Sequence, residues 1–88
     1  MNRDQFLPQD KKAAIAEYRA AWTCIGRIEE SIMKGDIKEA KLTIRDLSKS
    51  LLELERLSVK KQSHDRFVEL IHELNSKGIS AEMVVLNK

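Results

Sequence analysis

Between Ile37 and Leu54 the apolar residues fall at Ile37, Ala40, Ile44, Leu47, Leu51 and Leu54, in steps of 3, 4, 3, 4 and 3. A strand repeats every two residues, so this spacing excludes a strand and predicts an α-helix with a heptad seam. Leu52 and Leu57 lie off the strict seam and widen the stripe enough to touch two neighbours, as in a bundle. A helix of this kind cannot cover its own seam, so a helical partner is required.

The rest of the chain supplies candidates. Proline occurs once, at Pro8, where it suits the start of a helix. From there Ile15, Tyr18, Trp22, Ile25, Ile28 and Ile32 keep helical spacing and predict a first helix over residues 9–34. Gly26 interrupts this helix, and the expected reason is the close approach of a neighbouring helix. Lys34-Gly35-Asp36 is a stop and a restart. Gly35 takes the left-handed position that ends a helix, and Asp36 caps the next, with Glu39 completing a capping box. So short a connection predicts an antiparallel hairpin.

The second helix is expected over 37–61 and a third over 65–77, with Phe67, Val68, Leu70, Ile71 and Leu74 as its apolar face. No glycine or proline separates the two, so the reading leans to one continuous or mildly bent helix, which would overshoot helix one. Gly78 marks the next stop, and residues 80–86 read as a short last helix, although so few residues do not separate a helical turn from a strand. The fold class is therefore all-α: a hairpin extended to three helices plus a short C-terminal one, in a single domain over 9–88 behind a flexible segment 1–8. A chain of 88 residues buries a modest core, and its single cysteine, Cys24, rules out an internal disulfide. Oligomerisation is the remaining supplement, so a homodimer paired through the helix-two seam is expected.

Site chemistry is sparse. Cys24, His64 and His72 are widely spaced and form no zinc motif or nucleophile–base frame. Cys24 falls near the buried face of helix one, where a small inert hydrophobe is the default. No catalytic residue, metal or cofactor is expected. A net charge of +2 with 34% charged residues describes solvated helices. The first eight residues hold no apolar core of signal-peptide length, no run is long enough to span a membrane, and the lone cysteine suits a reducing compartment, so a cytoplasmic location is expected.

Function is accordingly expected to be non-enzymatic protein–protein interaction, as a small adaptor, chaperone-like factor or regulator binding through an apolar helix face. The interface candidates are Ile37, Ile44, Leu47, Leu51, Leu54 and Leu57, with Trp22, Met83 and Val84. Trp22 reads first as core, then as an interface anchor. The alternative is a DNA-associated regulator touching phosphate through Arg56, Lys60, Lys61 and Arg66, although no aromatic residue interleaves with them.

Two local resemblances bear on these expectations. The stretch 33–40, Met-Lys-Gly-Asp-Ile-Lys-Glu-Ala, looks like the inter-helix turn of tetratricopeptide-type hairpins, which implies a hairpin here. The stretch 69–83, from Glu69 through Lys77-Gly78-Ile79 to Met83, is similar to the end of the oligomerisation region of H-NS-type nucleoid proteins. That likeness covers about a sixth of the chain and implies a partner that joins the oligomers of such a protein.

Overall fold

The computed structural model describes residues 3–78. Two 3-10 turns, Arg3–Gln5 and Pro8–Asp10, lead into helix α1, Lys11–Met33, which is followed by helix α2, Ile37–Ser76. The helices form an antiparallel hairpin. No strand occurs among the described residues. The expected short helix at 80–86 and the candidates Met83 and Val84 lie outside the described residues.

The turn forms as its residues dictate. Gly35 has φ +77°, a conformation open to glycine because it has no Cβ. Its N–H donates to Ile32 O at 3.0 Å and that of Asp36 to Ser31 O at 2.8 Å, which satisfies the last carbonyls of α1. The Asp36 carboxylate accepts from Glu39 N at 3.1 Å and caps α2. Gly78, also at φ +77°, ends α2 the same way, donating to Asn75 O at 3.1 Å.

The third helix is not separate. α2 runs unbroken for 40 residues, about 60 Å at the usual rise. Within 60–66 no residue breaks the backbone ladder, and Lys61 pairs with Asp65 one turn on. α1, with 23 residues, covers little more than half of that length. The molecule is therefore a rod of 66 × 23 × 16 Å with a radius of gyration of 19.9 Å. A compact chain of this length would have about 12 Å.

The seam between the helices differs from the expected one. The buried residues of α1 are Ala14, Ala21, Cys24 and Ser31, and those of α2 are Ala40, Thr43, Ser50, Leu54 and Leu57. With Leu47 half-buried, the α2 track reads 40, 43, 47, 50, 54 and 57. It shares Ala40, Leu47 and Leu54 with the expected seam but takes Thr43, Ser50 and Leu57 in place of Ile37, Ile44 and Leu51. Small side chains let the two backbones approach, and the large residues stand to one side of the line of contact. The buried Thr43 hydroxyl is satisfied by donating to Glu39 O at 3.0 Å.

The open end of the hairpin is closed by the segment expected to be flexible. Phe6 is 1% exposed and Leu7 is buried. Phe6 clusters with Ala14, Leu54 and Leu57, and its ring meets Tyr18 edge to face, 6.4 Å between centroids. Ala14 leaves the space that this ring fills. Close helix approach does not explain Gly26: a Cβ built there meets nothing within 4 Å, and the residue is exposed.

Candidate interaction surface

Beside its seam each helix of the hairpin has two edges, and in an antiparallel pair like edges lie on the same side. One side is polar. Arg27, Glu30, Ser31 and Lys34 of α1 line an open cleft together with Asp36 and Glu39 at the start of α2. Lys34 Nζ donates to Glu30 Oε1 at 2.7 Å. That hydrogen bond, helped by the lysine charge, holds the Glu30 carboxyl below its usual range and raises Lys34.

The opposite side is apolar. Ile25 and Ile32 each follow a buried seam residue of α1, Cys24 and Ser31. Ile44 and Leu51 follow Thr43 and Ser50 in α2, and Ile37 continues the same edge to the turn. Helical periodicity therefore gathers five large side chains from both helices onto one edge, and Trp22 stands one position further out. All are exposed, from 40% for Ile25 to 57% for Ile32 and Ile37 and 69% for Trp22. This corrects the core reading of Trp22. Such a contiguous apolar strip is the kind of surface soluble proteins keep for a partner.

The expected interface candidates thus divide. Ile37, Ile44, Leu51 and Trp22 come together on the apolar edge. Leu47 is half-buried, and Leu54 and Leu57 are buried inside the hairpin, where α1 already occupies them. Sequence reasoning missed the contribution of Ile25 and Ile32 to this edge. Their signal was present, one residue after a small residue in each case.

The basic group does not form one surface. The Arg56 guanidinium holds Glu53, Nε to Oε2 at 3.0 Å, which lowers the Glu53 carboxyl mainly through that hydrogen bond. Lys60 lies 3.1 Å from Asp10 Oδ2 and 3.4 Å from Oδ1, pinning the entry of α1 to α2. Asp10 is spent on this contact and makes no side-chain cap. Lys61 is half-buried and pairs with Asp65, and Arg66 is exposed on another part of the helix.

Cys24 is buried and unpaired by any disulfide. Among the described residues no group of three or more histidine, cysteine or acidic side chains is placed to hold a metal. No helix among them is long and apolar enough to cross a membrane. No protein-family profile, curated protein or solved structure matches the chain.

Proposed function

We propose that this chain is a non-enzymatic interaction module whose apolar edge receives an amphipathic helix of another polypeptide. The observation that supports it is the asymmetry of the hairpin: an edge lined by charged and polar side chains faces one way, and a strip of exposed isoleucine, leucine and tryptophan faces the other. A helix laid beside two antiparallel helices completes a three-helix layer, with anchors at i, i+3, i+4 and i+7 entering the strip. The strip spans both helices, so binding also clamps the hairpin, and the exposed Trp22 at its outer border, away from the turn, is a natural hot spot.

The nucleic-acid reading has less support. Arg56, Lys60 and Lys61 each already face a carboxylate of the same chain, and breaking those pairs would offset what phosphate contact gains.

The test is affinity capture from the native host with the wild type and with Ile37→Asp/Ile44→Asp, both checked by circular dichroism. These positions are exposed, so the variant is expected to stay helical and to lose the captured partner. Capture of the same polypeptide by wild type and variant would refute the reading.

A further inference from the structure

Among the described residues α1 does not accompany α2 to its C-terminal end. Lys60 meets Asp10 at the start of α1, and Phe6 closes the core just before it, against Leu54 and Leu57. From Lys61 to Ser76 α2 runs on by about 24 Å. The track that seats α1 at 40, 43, 47, 50, 54 and 57 does not end there. Continued in the same steps it passes the polar Lys61 and His64 and then reaches Val68 and Ile71, which with His72 and Asn75 line an open cleft. Phe67 and Leu74 flank it on one edge, and Phe67 and Val68 are each more than 40% exposed.

We infer that two copies of this chain join end to end, with the α2 overhangs crossing antiparallel about a two-fold axis between Glu69 and Leu70. This inference is independent of the proposed binding edge. A second copy is the occupant because the overhang is complementary to itself. In that register Val68 sits opposite the partner's Ile71, and Phe67 beside the partner's Leu74. On the other edge Asp65 lies beside the partner's His72, a carboxylate next to an imidazole, and two-fold symmetry repeats every contact. The overhang and its cap carry three cations, Lys61, Arg66 and Lys77, against three carboxylates, Asp65, Glu69 and Glu73, so two copies meet without net repulsion. The partner's overhang takes the place beside α2 that α1 takes further down, on the same track.

Surface area points the same way. The chain exposes 7080 Å², against about 5,300 Å² for a compact protein of its mass. The excess, about 1,800 Å² per chain, is more than the roughly 800 Å² that a standard interface removes from each partner, so one such contact fits within it.

Sedimentation equilibrium on the full chain tests this directly. The wild type is expected to reach twice its 10.1 kDa mass at tens of micromolar. Ile71→Asp should be monomeric there, with its hairpin unfolding transition retained, whereas Ile44→Asp on the apolar edge should still dimerise. His72→Asp should weaken association about two- to fivefold, and adding Asp65→His should restore it. A wild-type monomer at every concentration, its overhang covered by other means such as the chain's own residues 79–88, would overturn the inference. So would a dimer that survives Ile71→Asp but is lost with Ile44→Asp. A charge swap that fails to restore affinity would overturn the antiparallel register. Loss of partner capture by edge variants that still dimerise separates the two surfaces.

Discussion

At the scale of single residues the account turns on which apolar side chains touch α1. Leu57 is 3% exposed and belongs to the cluster around Phe6, whereas Leu51, six residues earlier, is 53% exposed. Leu57→Ala should therefore cost about 2–5 kcal/mol of unfolding free energy, and Leu51→Ala about 0.5 kcal/mol or less, read by urea denaturation. In the sequence Leu51 stands on the expected seam and Leu57 off it, and the structure reverses the two. The 3-4 spacing of the apolar residues places Ile37, Ile44 and Leu51 on the seam. What the pattern hid is that a close pair of helices wants its small residues in the middle, and Ala14, Ala21, Thr43 and Ser50 raise no hydrophobic signal. Cys24 was legible as a small buried hydrophobe. Its thiol should react with a disulfide reagent only as fast as the hairpin opens, so modification should accelerate in step with denaturant unfolding.

At the scale of elements, the stops were written plainly and the continuities were not. Gly35 and Asp36 carry their conformations in their chemistry, a missing Cβ and a short carboxylate, so the turn could be read directly. The unbroken passage through 60–66 has no positive signal, only the absence of a breaker, which a run of propensities cannot distinguish from the start of the expected helix at 65–77, which the Ser63 hydroxyl is placed to cap. Ser63→Pro separates the cases: inside a helix it should cost about 3 kcal/mol and reduce helicity, whereas at the start of a third helix it would be tolerated. The two glycines that bear on α1 should respond oppositely to alanine. Gly26→Ala, on an open helical face, should stabilise by about 0.5–1 kcal/mol. Gly35→Ala, at positive φ, should destabilise by about 1–2 kcal/mol. Thermal unfolding of both variants checks the pair.

At the scale of the whole molecule, the rod holds some of its charges in short-range pairs within and between helices, and it gathers exposed isoleucine, leucine and tryptophan on one edge. Glu30 and Glu53 are held below the ordinary carboxylate range by Lys34 and Arg56. A depressed carboxylate stabilises the fold above its unfolded value, and that contribution disappears as the pH falls through the depressed one. Glu30 and Lys34 are exposed and Glu53 is only half-buried beside the exposed Arg56, so the effect should be small and weaker in high salt. The most direct measurement of the central claim places a photo-cross-linking side chain at Ile44, on the apolar edge, or at Arg27, on the polar edge, in the native host. The account predicts an adduct with another polypeptide from Ile44 and little or none from Arg27. Equal adducts from both edges, or an adduct from Arg27 alone, would contradict it.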